Sequence, residues 1–375
     1  MDEIIHASRQ ENIPWHEFGL TIPLTYFLTY NLHVYPDQTP YSPNYILVGQ
    51  LRRDFIVLPD GEAFLDVPGG NLLYAAAGLA IWENFPPPSL IARVGSDYPQ
   101  EWLEDLKRRG FDTRGIRTLP EPIDLRSFCA YPDFSTRVNK DPLKYFARLN
   151  QPFPKPLLGY HNNTALDSRN RLAPTSIRQN DLIPEYKGAI AAHICPLDFL
   201  SHNLIPAAFR QAGFTLITLD PSAGYMDPSF RDDIPLLING LSAFLPSEDE
   251  IRALFLGRSS DLWEMAEAIT SYGCEMVVIK RGELGQLVYD AHSRRRWEIP
   301  AYPVKPVDPT GVGDAFCGGF LIGYRQTYDP LQAALYGNIS ASLVIESHGP
   351  VYALESLTRL AYARLESLRQ LVRKV

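Results

Sequence analysis

Short apolar runs, many of them β-branched, alternate along this chain with longer stretches of helical periodicity, and that rhythm restricts the fold more than any other feature. Ile46–Gln50, Leu90–Val94, Ala189–Cys195, Thr215–Asp220, Ala243–Leu245 and Met276–Lys280 read as buried strands. Leu72–Trp82, Trp102–Arg109, Leu204–Gln211, Glu248–Leu256, Asp261–Tyr272 and Leu331–Glu346 read as helices. Strand–helix alternation predicts a mainly parallel sheet with helices on both faces. Two pieces break the rhythm. Phe55–Val67 reads as a hairpin around Pro59-Asp60-Gly61, and Leu125–Tyr131 as one more strand, so a small second sheet is expected.

At 375 residues the chain is long enough for one large domain or two ordinary ones. Its net charge of -8 and the lack of a basic block argue against a general attraction to nucleic acid or anionic membrane. Phe18–Tyr35 is the nearest approach to a membrane span, but Pro23, Asn31 and His33 interrupt it, and the acidic start is not that of a signal peptide. Cys129, Cys195, Cys274 and Cys317 are widely spaced, as expected of reduced, mostly buried thiols in a cytoplasmic protein. Residues 1–43 read as an N-terminal extension. Leu20–Val34 alternates with a period of two, an extended half-buried pattern, before Pro36, Pro40 and Pro43 mark a linker. Residues 132–188, rich in Pro, Asn, Arg and Tyr, read as an insertion with short elements or partial disorder. Leu354–Val372 reads as a closing amphipathic helix.

The segment that carries chemistry is Val307-Asp308-Pro309-Thr310-Gly311-Val312-Gly313-Asp314-Ala315-Phe316. Tyr302, Val304 and Val307 predict a strand before it, and Ala315, Phe316, Phe320, Leu321 and Ile322 a helix after it. Glycines at a helix start turn tightly and leave amide N–H groups free, and the helix dipole adds to the attraction for anions. An Asp at that point can take a proton from an attacking hydroxyl, the combination that phosphoryl transfer to an alcohol needs. An isolated Gly-x-Gly-Asp is more often only a capped helix. Gly318, Gly319 and Gly323 are poor helix formers whose expected reason is close packing against a neighbour.

The stretch Asp308–Phe316 resembles the D-T-x-G-A-G-D-x-F signature of the ribokinase-like (PfkB-type) carbohydrate and nucleoside kinases, with Pro309 and Val312 as departures. Other segments agree in order. These are Val48-Gly49 followed by Asp54, Pro68-Gly69-Gly70, Val94-Gly95-Ser96-Asp97 followed by Gly110-Phe111-Asp112-Thr113, Leu245–Glu250, Gly282-Glu283-Leu284-Gly285, Asn338 and His348-Gly349. The resemblance implies an α/β ribokinase-like fold over residues 44–375, a central mostly parallel sheet with a small β-sheet lid from about 55–67 and 125–131.

It also implies an ATP-dependent transfer of phosphate to a hydroxyl of a sugar, sugar derivative or nucleoside. Asp314 would be the base, and the amides of Gly311, Val312 and Gly313 the anion hole. Asp54, Gly69, Gly70 and Tyr74 would hold the acceptor. Ser247, Lys280, Gly282, Glu283, Gly285 and Asn338 would line the nucleotide site. Glu250 would orient Mg²⁺ through water, and Asp308, Thr310, Val344, Ser347 and Gly349 would hold K⁺. Relatives of this kind also point to a homodimer through the lid.

Two departures stand out: Tyr74 and Ser247 each occupy a position where the family commonly has Asn. They motivate the alternative of a non-catalytic nucleotide- or sugar-binding scaffold. Read without the resemblance, Asp54 beside Arg52 and Arg53 is a surface ion pair, Glu250 an acid suited to a helix start, and Lys280-Arg281 solvent-facing strand-end residues. Tyr74 alone reads as a core aromatic, His348 as a loop histidine and Cys317 as a buried thiol. A dinucleotide-dependent oxidoreductase fails, because no G-x-G-x-x-G follows the first strand.

Overall fold

Runs that are apolar at every position become strands buried on both faces, as a parallel sheet between two helical layers requires. The computed structural model describes residues 43–82, 88–162, 165–354 and 358–375. In chain order the strands are β1 (Tyr45–Val48), β2 (Arg52–Val57), β3 (Ala63–Gly69), β4 (Ser89–Val94), β5 (Asp112–Thr118), β6 (Arg126–Ala130), β7 (Ala191–Ile194) and β8 (Leu216–Leu219). They continue with β9 (Ala243–Phe244), β10 (Met276–Lys280), β11 (Gln286–Asp290), β12 (Arg295–Ile299) and β13 (Arg373–Lys374). The helices are α1 (Asn71–Ala80), α2 (Gln100–Arg108), α3 (Pro142–Arg148), α4 (Phe199–Gln211), α5 (Ile234–Ile238) and α6 (Glu248–Leu254). After them come α7 (Leu262–Ser271), α8 (Val312–Thr327), α9 (Pro330–Val344), α10 (Val351–Leu354) and α11 (Thr358–Arg369).

The large sheet runs β13-β12-β11-β10-β9-β8-β7-β1-β4-β5, parallel from β10 to β5 and antiparallel from β10 to β13. From β1 the chain builds outward first to β4 and β5, then in the other direction through β7 to β10. The order therefore reverses between β1 and β7, and such a switch point opens a crevice at the carboxyl ends of the strands. Asn71 sits there: its Oδ1 accepts from Gln50 N at 2.8 Å and its Nδ2 donates to Pro196 O at 2.7 Å. Leu47, Leu79, Phe316, Phe320 and Leu343 are among the core residues on one face of the sheet, and Ile46, Phe209, Phe230, Phe244 and Ile269 on the other.

The glycines of α8 have the packing role expected of them. A Cβ at Gly318 would lie 1.9 Å from the Ala75 carbonyl oxygen, and one at Gly78 would lie 2.0 Å from that of Ala315. Helices α1 and α8 therefore cross backbone to backbone, which fixes the start of α8 against the start of α1. The start of α4 differs from expectation. It begins at Phe199, ahead of Leu204, because Asp198 caps it by accepting from Ser201 N at 3.1 Å. The strand expected at Tyr302, Val304 and Val307 does not form. Prolines at 300, 303, 306 and 309 remove the N–H groups that a sheet ladder needs, and the segment runs as a strap outside the sheet. The single helix expected at Leu354–Val372 is instead α10, α11 and the short edge strand β13, with residues 355–357 outside the described residues. The alternating segment Leu20–Val34 also lies outside them.

The second sheet has three strands in the order β3-β2-β6. One side carries Ile56, Leu58, Cys129 and Tyr131. The other buries Phe55, Val57, Phe128 and Ala130 under Phe146 and Leu157, which belong to the insertion. Arg126 holds that cover in place by donating to the carbonyls of Pro156 at 2.6 Å and Leu158 at 3.0 Å. Farther along, Asp181 forms a buried ion pair with Arg93 of β4 at 2.7 Å. The described part of the insertion is thus ordered around α3 and three single-turn 3₁₀ segments. It covers one face of the small sheet with this chain's own residues.

Candidate functional site

Gly311 adopts φ 71° and ends the Asp308–Gly311 turn, and Ala315 N makes the first helical bond, to Gly311 O at 2.9 Å. Among the described residues the amides of Gly311, Val312, Gly313 and Asp314 have no hydrogen-bond partner. Four free donors at the positive end of a sixteen-residue helix form an anion-binding concavity. The space over Gly313 is open: a Cβ there would meet only Lys280 Nζ, 3.8 Å away. Asp314, half-buried in the first turn, has its carboxyl pushed up to about 6 by burial, while Lys280 and Arg137 pull it back down. A carboxylate of that basicity accepts a proton near neutral pH.

Lys280 is not the solvent-facing residue that its strand-end position suggests. It reaches back from β10 to Asp220 Oδ2 at 2.5 Å, with Cys317 Sγ at 3.6 Å. Burial drives Asp220 up to about 7, with Lys280 opposing. Arg281 is paired too, with Glu248 at 3.2 Å and Glu298 at 3.1 Å. Asp220 escaped the sequence reading, although its place at the end of an apolar strand run was a usable signal.

The acceptor candidates come together on the other wall. Asp54 on β2 is 6% exposed, and its Oδ2 accepts from Gly70 N at 3.2 Å. A Cβ at Gly69 would sit 1.7 Å from that same oxygen, so the glycine pair exists to let the carboxylate approach the backbone. Burial raises Asp54 to about 6, against the pull of Gly70 N–H, Arg137 and Arg52. Tyr74 is fully within the core, and its ring lies against Gly311: a Cβ there would come 2.0 Å from Tyr74 Cγ. An aromatic at 74 thus requires a glycine at 311 and seats the phosphate turn. Asn71 is no stand-in for an Asn at 74, because both ends of its amide are spent on backbone.

The remaining candidates divide. A side chain at Gly282 would meet nothing within 4 Å, which leaves that loop open for a flat ligand, and Glu283 beside it is exposed. Gly285 instead packs on the 299–301 strap, where a Cβ would lie 1.9 Å from Ile299 O. Asn338 is 2% exposed and its amide is fully used. It donates to Gln286 Oε1 at 2.8 Å and Pro300 O at 2.9 Å, and accepts from Tyr302 N at 3.0 Å. Its side chain fixes the wall of the expected nucleotide pocket instead of lying open to a base.

Ser247 and Glu250 form a capping box: Glu250 Oε2 accepts from Ser247 N at 2.8 Å and Oγ at 2.6 Å. Ser at 247 therefore has a local purpose as a cap, and Glu250 still acts electrostatically on Asp220, Lys280 and Asp314. Among the described residues no cluster of three or more His, Cys, Asp or Glu is spaced to hold a metal. The residues fit a cation held mainly by phosphate and water, with Glu250 and the unpartnered buried Asp220 Oδ1 nearby. They also fit a second, monovalent cation. Asp308 is buried, and among the described residues its Oδ2 has no hydrogen-bond partner, with His348 Nδ1 3.8 Å away.

Comparison with known proteins agrees with this geometry. The family model for the pfkB family carbohydrate kinases matches residues 195–357. A cytidine kinase of Thermococcus kodakarensis is 30% identical over 290 residues, 75% of this chain and 88% of that protein. The aminoimidazole riboside kinase of Salmonella enterica, solved with aminoimidazole riboside and an ATP analogue, shares the fold with a TM-score of 0.61. Its identity is 17%, over 86% of this chain and all of that one. The fructokinase of Vibrio cholerae, solved with fructose, ADP and calcium, gives 0.61 at 20% identity, over 86% and 99%. Matched along most of the Thermococcus protein and across its own glycine turn, this chain is a kinase that belongs to the pfkB carbohydrate kinase family.

Proposed function

We propose that this protein transfers the γ-phosphate of ATP to a hydroxyl of a sugar, sugar derivative or nucleoside, with Asp314 as the base and the Gly311–Gly313 amides as the anion hole. The observation that carries this reading is the free amide set at the start of α8 beside a carboxyl raised to about 6, facing the Asp54–Gly70 pair. Mg²⁺-ATP, when bound, supplies the phosphoryl group and neutralises part of its charge. Asp54 and the Gly69–Gly70 backbone orient the acceptor, and Asp314 takes the proton of the attacking hydroxyl. The amides of Gly311, Val312 and Gly313, with Lys280 beneath them, stabilise the negative charge of the group in transit. Asp308 with Thr310 and Gly349 is proposed to hold K⁺ behind the turn. The small sheet, with the insertion over its outer face, would exclude water from the acceptor.

The test is ADP formation with Mg²⁺-ATP and K⁺ against cytidine, other nucleosides, pentoses, hexoses, sugar acids and inositols, with Asp314→Asn alongside. The variant is expected to lose roughly 10²–10⁴-fold in kcat while still binding ATP. For the wild type, kcat/KM is expected to fall about tenfold per pH unit below about 6, because the base works only when ionised. Near-normal turnover by Asp314→Asn would remove the base assignment. Nucleotide binding with no turnover on any acceptor would favour the scaffold alternative.

A further inference from the structure

The wall formed by the large sheet meets a migrating phosphoryl group with four amides and the Lys280 ammonium. A phosphoryl group in transit spreads its charge over three equatorial oxygens, so it also presents charge to the opposite wall. One cation of the small sheet is placed for that side. After β6 the chain turns back at once. Asp133 Oδ1 accepts from Ser135 N at 2.9 Å, Ser135 Oγ at 2.7 Å and Thr136 N at 2.7 Å, which sets the turn. Val138 then pairs with Ala130 in antiparallel fashion, through bonds of 2.7 and 2.8 Å. In that register Arg137 stands opposite Tyr131, and directly opposed residues share a face. Tyr131 marks which face it is: its hydroxyl accepts from Thr310 Oγ1, in the phosphate turn itself, at 3.2 Å.

Arg137 is exposed and, among the described residues, has neither a hydrogen bond nor an ion pair. Its neighbours on the same sheet differ: Arg53 is paired with Asp66, and Arg126 with Asp124. Arg52 is held by Gln50 Oε1. The charge of Arg137 nevertheless acts on both Asp314 and Asp54, in keeping with its register opposite Tyr131 on the face that meets Thr310.

We propose that Arg137 is a catalytic residue that contacts the oxygens of the migrating phosphoryl group from the small-sheet side, opposite the Gly311–Gly313 amides and Lys280. This rests on the phosphotransfer reading above. A planar guanidinium presents paired donors to two phosphoryl oxygens, and a turn closed by Asp133 and the Ala130–Val138 pair delivers it already ordered.

The experiment measures kcat and KM with Mg²⁺-ATP and the best acceptor found, cytidine first, for wild type, Arg137→Ala, Arg137→Lys and Asp314→Asn. Each is run with and without guanidinium chloride at low millimolar concentration, and melting temperatures are recorded. Arg137→Ala is expected to lose roughly 10²–10³-fold in kcat, with acceptor KM within about twofold and an unchanged melting temperature. Free guanidinium ion should restore at least about tenfold to Arg137→Ala and nothing to Asp314→Asn, a rescue that a merely structural role would not give. A rise in acceptor KM at constant kcat would overturn the proposal, making Arg137 a reader of the acceptor. Unchanged kinetics for Arg137→Ala alongside a dead Asp314→Asn would also overturn it while leaving the phosphotransfer reading intact. If no acceptor gives turnover that depends on Asp314, that reading falls first and this inference falls with it.

Discussion

The two walls of the cleft are built on opposite principles. On the large-sheet side the charged groups are closed on one another: Lys280 on Asp220, Arg281 on Glu248 and Glu298, Glu250 on Ser247. On the small-sheet side, Asp54 is buried against a backbone amide and Arg137 has no partner at all among the described residues. The side-chain ion pairs of the first wall are closed before any substrate arrives, with the α8 amides left open beside them, as expected for electrostatics that must not reorganise during transfer. The second is incomplete, and the groups that complete it are those of the substrates. On the proposed reading, the contrast puts the constant part of the chemistry at the strand ends and the variable part, acceptor choice, on the appended sheet.

Removing one partner on each wall should therefore have opposite consequences for stability. The largest effect is expected for Lys280→Met. It leaves the buried Asp220 carboxylate without its counter-charge, at a cost of roughly 3–5 kcal/mol at pH 8. Asp220 already has a folded-state pKa near 7, raised by burial, so the folded state binds its proton more tightly than the unfolded chain does. Without Lys280 the folded-state pKa of Asp220 rises further, so the pH-dependent part of the cost is absent while both folded proteins hold the proton, below about 7, and grows as pH rises above about 7, where only the wild type ionises Asp220 beside Lys280. Urea denaturation from pH 5 to 8 measures this, and Asp220→Asn in the Lys280→Met background should return most of the loss. A penalty independent of pH would mean that Lys280 acts by packing alone, and the contrast between finished and unfinished walls would fail on its firmest pair.

How much of this was legible in the sequence follows the same division. The inner parallel strands could be read because burial on both faces makes them mostly apolar, as in Tyr45–Val48, whereas the outer parallel strand β5 (Asp112–Thr118), polar and half exposed, was not read. The antiparallel strands β11, β12 and β13 could not be read either: Arg295–Ile299 mixes two arginines and a glutamate with Trp297 and Ile299, because only part of the strand is buried. The proline-spaced strap at 300–309 was mistaken for a strand because β-branched residues outweighed the missing donors. In the site, Gly311 was readable because its φ of 71° and the Tyr74 ring against it demand a glycine there. Arg137 was not, because a lone arginine in an irregular insertion has no pattern, and only the Ala130–Val138 pairing puts it opposite Tyr131. Nor was the use of Asn338, whose three hydrogen bonds reach residues 36 to 52 positions away.

A smaller effect of opposite sign is expected on the unfinished wall. Asp54 is ionised at pH 8, yet burial lifts its folded-state pKa to about 6, and among the described residues it makes no ion pair of its own. Its charge is therefore a cost to folding that grows as pH rises from about 4 through about 6. Asp54→Asn should remove that cost and raise stability at pH 8 by roughly 1–3 kcal/mol, with the gain shrinking as pH falls below about 6 and gone below the unfolded carboxyl range, where the group is protonated in both states. If Asp54 holds the acceptor's hydroxyls as proposed, the same variant should raise acceptor KM with little change in ATP affinity. Paired measurements of melting temperature and acceptor KM separate the possibilities. A variant less stable at pH 8 would show that Arg52 and Arg137 already satisfy Asp54 in the free protein, and both walls would then be finished.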